Sequence, residues 1–495
     1  MNAGGHEVRA AEAESILARE WKLLIGGELR PASDGTTFED GDPFTEKKIA
    51  DVPDASTDDV DAAVEAAAAA RKLWRDSPAL ERAERVLALA DVIEQNREEL
   101  ALLECLDTGS PISNTRFDVT IALAQMRMFA GFALEMKGAT VPASNNLHYS
   151  IREPVGVVAK IFPFNHPLMF ACRVAAPLVA GNPSVIKPPE AAPLSVLRLG
   201  ELAKDIFPAG VFNIVVGDGP AVPDRLVRHR DVRRIGFIGS EPTGRAIQRA
   251  AAESGVKQVT LELGGKNAMV VFDDADLDKA AAGAVFGMNF TWSGQSCGSN
   301  SRLLVQHEVY ETMVERVAQM VQARKVGDPL SEESEQGTMI NNVQYEKSLK
   351  YINVAKSEGA RLIVGGGRPE GDEFSTGFFL APTVFADVQP RWRIAQEEVF
   401  GPVLSIIPFD DEQEAVSIAN DVDYGLTASV WTNDLNRAHR VARDFEAGFI
   451  WINGSSLHFP NVPYGGVKGS GVGGKEESLE ELLSYTEEKA INVMF

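Results

Sequence analysis

Cysteine is scarce in this chain: three among 495 residues, at positions 105, 172 and 297. So few cannot build a disulfide framework, and a chain of this length buries large cores without one. A reducing, cytoplasmic compartment is expected. Histidine is scarce too, at seven residues. None stands in an HExxH pattern or pairs with cysteine at ligand spacing, so no metal centre is expected. Positive charge is short, with 48 Lys and Arg against 71 Asp and Glu and a formal net charge of −23. Such a surface repels phosphate backbones, which argues against nucleic acid as a partner. No apolar run reaches the ~18 residues that a membrane span needs. Residues 1–15 lack the apolar core of a secretory signal.

What is present is an ordinary globular composition, 44% hydrophobic and 24% charged, over a length that implies two or three domains. The stretch WKLLIGGELR (21–30) reads as a hairpin turning at Gly26-Gly27. Thr57 is expected as the N-cap of a helix with Asp58 and Asp59 in its first turn. One long helix is expected over 80–106, stopping at Gly109, and another over 114–135. Leu147, Tyr149 and Ile151 alternate with polar residues, the pattern of a half-buried strand. From 155 onward strands and helices alternate: strands over 155–162, 184–187, 211–216, 234–238 and 259–263, helices over 193–206 and 242–252. This predicts a parallel sheet with crossover helices, of the kind that binds nucleotides. A second α/β series starts after Asn267, with strands over 268–272, 303–306, 403–407 and 429–432. A boundary near Gly264-Gly265 is expected. The end, 490–495, reads as an extended apolar segment that needs cover, either from a partner subunit or from its own domain.

Four features carry possible chemistry. Cys297 lies in WSGQSCGSNS (292–301), among glycines and serines rather than the apolar neighbours of a core cysteine. Cys105 and Cys172, in apolar helix-like contexts, read as core. Glu262 sits in LELGGK (261–266), inside an apolar strand and before a double glycine. Burial there would raise its pKa and suit it to general base work; an exposed edge-strand glutamate is the plain alternative. Asn165, in PFNHP (163–167), offers an amide donor at the end of a buried strand, or else is a turn asparagine. Gly239 and Gly244 bracket GSEPTG, between a strand and a helix start. That is a seat for a phosphate, or a simple turn.

Together these residues closely resemble the aldehyde dehydrogenase superfamily. The resemblance runs from about Trp21 to the C-terminus. It includes PFNHP (163–167), IKPPE (186–190), FIGSEPTG (237–244), LELGGK (261–266), GQSCG (294–298), EEVFGPV (397–403) and PYGGVKGSG (463–471). It implies an α/β fold with a Rossmann-like cofactor domain, an α/β catalytic domain and a small β oligomerisation flap. The expected division is 18–130 with 153–263 for NAD binding, 264–470 for catalysis, and 131–152 with 471–495 for oligomerisation. By resemblance Cys297 is the nucleophile, attacking the aldehyde carbon to give a thiohemiacetal and then, after hydride transfer, a thioester. Asn165 and the Cys297 N–H resemble the oxyanion hole, and Glu262 the base that activates hydrolytic water. Phe162, Pro163, Gly239, Ser240, Gly244, Leu263, Gly264 and Gly265 fall where the family binds the cofactor. Lys187 and Glu190 fall at the adenosine ribose, Glu398 at the nicotinamide ribose and Phe400 beside the nicotinamide. Phe400 also fits ordinary core. The acid at Glu190 would repel a 2′-phosphate, favouring NAD over NADP.

Two departures from the family pattern stand out. Between Pro167 and Gly181 the chain is one residue short of the commonest pattern, which puts Arg173 where a lysine commonly stands near the base. His166 follows Asn165 where many members carry a bulky aromatic residue. With Met169, Phe170, Trp292, His458 and Phe459 it is expected to line or border a substrate funnel suited to an apolar or aromatic aldehyde. The expected activity is hydrolytic oxidation of an aldehyde to its acid with NAD⁺, by a homodimer or homotetramer. A CoA-acylating relative is the alternative within the family, opposed by the presence of Glu262. A non-catalytic relative of the same fold is the alternative outside enzymes.

Overall fold

The computed structural model describes residues 12–495, so most of the N-terminal stretch read as free of a signal lies outside it. Two sheets organise the chain. The first has eight strands in the order Glu28–Arg30, Leu23–Ile25, Phe212–Ile214, Ser184–Lys187, Val157–Ile161, Val232–Ile238, Gln258–Glu262 and Gly471–Val472. The five from Phe212–Ile214 to Gln258–Glu262 are parallel. Numbered among themselves by chain order, they run 3-2-1-4-5. The expected hairpin closes one edge, with Gly26 and Gly27 at φ +64° and +84° in its turn. Primed turns of this kind match the twist of paired strands. Gly471–Val472 closes the other edge, antiparallel to Gln258–Glu262.

Strand order reverses between Val157–Ile161 and Val232–Ile238. At that switch point the two following loops leave in opposite directions and open a crevice at the carboxyl ends of the strands. Asn165, Gly239 and Glu262 all lie at or just past those ends. Val157–Ile161 is buried throughout, Lys160 included, as a strand covered on both faces should be.

The second sheet orders Arg361–Val364, Thr383–Ala386, Val403–Phe409, Arg302–Gln306, Ala268–Val271, Thr427–Trp431 and Phe449–Ile452. All its neighbours are parallel except the first pair. Its strands send alternate residues to opposite faces. Val270 and Leu304 enter one core, and Met269, Val271, Leu303 and Val305 the other. This is the expected α/β architecture. A third, two-stranded sheet pairs Leu147–Pro154 with Thr486–Val493 antiparallel.

Three expectations are corrected. Ser56, not Thr57, is the N-cap of Thr57–Asp76, and it forms a capping box with Asp59. The Asp59 carboxylate reaches back to the Ser56 N–H, which puts the cap one residue earlier. The expected long helix is two, Ala79–Gln95 and Arg97–Thr108, broken at Asn96. The Asn96 side chain donates to the Val92 carbonyl and competes with the helix for it. The strand over Leu147–Pro154 is not half-buried as its alternation suggested. Leu147 and Ile151 are its most open positions, at 39% and 37% exposure. The apolar stripe exists, but no layer among the described residues covers it.

Candidate active site

Each candidate residue is set by the element it follows. Asn165 comes after the buried strand Val157–Ile161 and before the short helix Pro167–Cys172, which carries proline in its first turn. The Asn165 side chain is buried, and its Oδ1 has no partner among the described residues. Gly239 follows Val232–Ile238, and its N–H donates to the Glu262 carbonyl at 3.0 Å, tying the two strand ends together. Ser240 caps the helix Glu241–Ser254 by backbone conformation alone. Its hydroxyl meets Thr243 Oγ1 at 3.0 Å rather than a first-turn N–H. Those N–H groups are left for an anion.

Glu262 ends its strand with the side chain buried. Oε1 has no partner among the described residues, and the Gly466 N–H donates to Oε2 at 3.3 Å. The loop that follows is braced from the far end of the chain. Leu263 N–H donates to the Ser470 carbonyl at 2.8 Å, and Ser470 Oγ to the Gly264 carbonyl at 2.7 Å. This is why LELGGK and PYGGVKGSG belong together in space.

Cys297 stands in a turn that its neighbours hold rigid. Ser293 and Gly294 take φ +52° and +68°, and a Cβ at Gly294 would run into the backbone of Gly401. Gln295 is buried and accepts from the Ile340 N–H at 3.1 Å. Asn267 Nδ2 donates to the Cys297 carbonyl at 2.7 Å. The Cys297 N–H finds no acceptor among the described residues. Tyr464 Oη lies 4.0 Å from the sulfur.

One cavity is lined by Pro163, Asn165, Gly239, Ser240, Glu262, Leu263, Gly264, Cys297, Glu398 and Phe400. A second is lined by His166, Met169, Phe170 and His458, again with Glu262 and Cys297. Cys297 and Glu262 therefore stand in the wall between the two.

The sequence matches the aldehyde dehydrogenase family over residues 30–491. The chain belongs to that family. It is 41% identical over 489 residues to the aldehyde dehydrogenase tropH of Talaromyces stipitatus, covering 97% of this chain and 94% of that one. Among solved structures it is similar to an aldehyde dehydrogenase from Bacillus cereus in complex with NAD⁺. That pair superposes at a TM-score of 0.94 with 40% identity, covering 97% and 98% of the two chains. It is also similar to betaine aldehyde dehydrogenase from Staphylococcus aureus in complex with NAD⁺, at a TM-score of 0.95 and 35% identity over 98% and 97%.

Not every expected residue lines the cavities. Lys187 and Glu190 form their own ion pair, 2.5 Å apart, at the end of the neighbouring strand Ser184–Lys187. Phe162 is buried with its ring 6.5 Å from that of Phe170. A Cβ at Gly244 would meet Leu263 at 2.8 Å, so this glycine lets the helix close onto the next strand. Gly265 donates its N–H to Glu398 Oε1 at 2.9 Å, and a Cβ there would lie 2.9 Å from the Cys297 carbonyl oxygen. Phe400 holds φ +57°, its ring edge-on to Phe164 at 5.8 Å. Trp292 sits behind His166, ring centroids 5.1 Å apart, and Phe459 is half exposed. Among the described residues no three His, Cys, Asp or Glu side chains are grouped to hold a metal ion, and no helix is long and apolar enough to cross a membrane.

The electrostatics of this aldehyde dehydrogenase's site follow from burial. Burial pushes the Cys297 thiol up to about 12, with Glu398 adding and Tyr464 opposing. Burial also holds the Glu262 carboxyl well above its ordinary range, and the nearby charge of Glu476 pushes the same way. Behind Glu262, Arg173 binds Glu476 through one terminal nitrogen and Glu477 through the other, the latter at 2.5 Å. All three are buried. Gln344 and Lys347 also line the first cavity, and Ser456, Tyr464 and Glu476 the second. Tyr464 lay inside a motif already noted. Gln344 and Lys347 gave no signal, since the helix Asn342–Glu358 reads in sequence like any surface helix.

Proposed function

We propose that this aldehyde dehydrogenase oxidises its substrate to the carboxylic acid at Cys297, with the cofactor in the first cavity and the aldehyde in the second. One observation carries the reading: Cys297 and Glu262 line both cavities. A nucleophile and a base that face both compartments can serve an adduct made from one side and oxidised from the other.

The residues present fit NAD⁺. The first turn of Glu241–Ser254 has free N–H groups for a pyrophosphate beside Gly239 and Ser240. A side chain at Gly264 would run into the Glu398 carboxyl group, so the loop is shaped around that acid. Glu398 would hold the nicotinamide ribose, with Phe400, Leu263 and Pro163 lining the same cavity, while Gly265 would hold Glu398 in place and Phe162 would support the wall from behind. Lys187 and Glu190 would hold the adenosine ribose, and the Glu190 charge favours NAD⁺ over NADP⁺.

The Cys297 sulfur adds to the aldehyde carbon. Burial pushes the Cys297 thiol up to about 12, so it is neutral at rest and its proton passes to water during attack. The Asn165 amide and the unpaired Cys297 N–H stabilise the oxyanion; removing one such donor costs about 3 kcal/mol. Bound NAD⁺ supplies the hydride acceptor that leaves Cys297 as a thioester. Glu262 then takes a proton from water, whose hydroxide adds to the acyl carbon. The acid departs, and the sulfur regains a proton.

The division into 18–130 with 153–263, 264–470, and 131–152 with 471–495 is part of the proposal, supported by the separation of the sheets. So is a homodimer or homotetramer, supported by the uncovered Leu147 and Ile151 and by Phe495 at 88% exposure. The absence of any disulfide among the described residues supports a reducing, cytoplasmic setting. The deciding experiment incubates purified protein with an aldehyde panel and NAD⁺ without CoA. Stoichiometric NADH and free acid are expected, lost in Cys297→Ala. NADH formation only when CoA is added would overturn the hydrolytic reading.

A further inference from the structure

Two of the seven histidines line the second cavity, and each is anchored in the same way. His166 Nδ1 lies 2.8 Å from Asp118 Oδ2, and His458 Nδ1 lies 2.9 Å from Glu477 Oε2. Both acids are 4% exposed. They come from separate parts of the chain, Asp118 on the helix Ile112–Gly131 and Glu477 just ahead of Leu479–Ser484. Glu477 holds φ +63°. A non-glycine residue keeps such a backbone only where its surroundings demand it. Here Arg173 and His458 both require its carboxylate.

A carboxylate only accepts hydrogen bonds, so Nδ1 donates in both pairs and Nε2 is the polar atom each ring has left. Neither Nε2 has a protein partner among the described residues. His166 is the deeper, with 12% of its side chain exposed, and His458 stands nearer the mouth at 33%. A hydroxyl suits such an atom in either protonation state. It donates to the bare nitrogen and accepts from the protonated one. A second carboxylate on the substrate suits it poorly. Each imidazole already has an acid behind it, Arg173 in the same wall is taken up by Glu476 and Glu477, and the chain carries −23. The walls are flat and aromatic: His166 meets Phe170 and Trp292 edge-on at 5.6 and 5.1 Å, and His458 lies 4.6 Å from Tyr464. Planar rings pack well against such walls.

We infer that the substrate is a phenolic aldehyde whose ring hydroxyl is bound by the free Nε2 atoms of His166 and His458. This rests on the proposal that Cys297 acts from the wall of that cavity.

The test measures kcat/KM with NAD⁺ for benzaldehyde, 3- and 4-hydroxybenzaldehyde, 4-methoxybenzaldehyde and 4-carboxybenzaldehyde. At least one hydroxybenzaldehyde is expected to exceed both the parent and the methoxy compound by about tenfold. The hydroxyl-to-parent ratio is expected to fall towards one in His166→Phe or His458→Phe. Because that ratio is taken within each variant, a general loss of activity does not move it. If neither variant folds, the wild-type ranking against the methoxy compound decides alone. Equal kcat/KM for the hydroxy and parent aldehydes, a preference for the carboxy compound, or an unmoved ratio in both variants overturns the inference while leaving Cys297 in place. No NADH from any aldehyde would instead sink the proposal on which it rests.

Discussion

Glu398 accepts a hydrogen bond from the Gly265 N–H at 2.9 Å, and its carboxyl group fills the space where a side chain on Gly264 would go. The two come from different sheets, Gly265 after the strand Gln258–Glu262 and Glu398 ahead of Val403–Phe409. The first cavity is therefore closed by a contact that neither sheet makes alone.

Gly264→Ala tests that contact. The added methyl meets the Glu398 carboxyl group, and such overpacking costs about 1–3 kcal/mol. The expected outcome is a folded protein whose KM for NAD⁺ rises about tenfold or more. An unchanged KM would count against Glu398 as a cofactor ligand.

The resting thiol should react slowly. With Cys297 pushed up to about 12, its thiolate fraction climbs about tenfold per pH unit through the neutral range. Inactivation by iodoacetamide, without NAD⁺, is expected to follow that slope from about pH 7 to pH 10. A plateau by about pH 8 would mean that the thiolate is already formed at rest.

Glu262→Gln should separate the two halves of the reaction. Acylation gives a burst of NADH, and hydrolysis then stalls, with the steady state falling by about 10²–10⁴-fold. Steady turnover at the wild-type rate would place the hydrolytic base elsewhere.

Glu477 ties stability to pH. Burial alone would raise its pKa, but His458 and Arg173 outweigh burial and bring it from 4.5 down to about 2. Between those values the unfolded chain binds the proton and the folded chain does not. The stabilisation is therefore full above about pH 4.5 and is lost as pH falls towards 2, amounting to about 3 kcal/mol. Urea midpoints should show Glu477→Gln well below wild type at pH 7, with the gap narrowing below about pH 4.5 and closing towards pH 2. A gap that is constant with pH would remove the charge from the explanation.

Much of this protein is legible in its sequence because the signals are short-ranged. The Gly26-Gly27 turn, the buried strand at Val157–Ile161 and the Gly109 stop each depend on residues within a turn or a strand of one another. The motifs around Asn165, Glu262 and Cys297 could be singled out for the same reason: small residues and an out-of-place polar group sit side by side. Even here competition between near neighbours was missed, as with Ser56 against Thr57 and the break at Asn96.

What only the tertiary structure decided are the meetings between distant residues. Periodicity says which face of a strand is apolar, not whether anything covers it, and Leu147 and Ile151 turn out to be open. Composition cannot pair His166 with Asp118, His458 with Glu477, or Arg173 with two buried acids, because those contacts form only when separate elements pack. A carboxylate's or thiol's proton affinity depends on what is buried around it, so the raised pKa of Cys297 is a property of the folded site. The residue types of the chemistry were set along the chain. The wall that puts Cys297 and Glu262 between two cavities was set where loops leaving the two sheets meet, as Gly265 does Glu398 and Glu262 does Gly466.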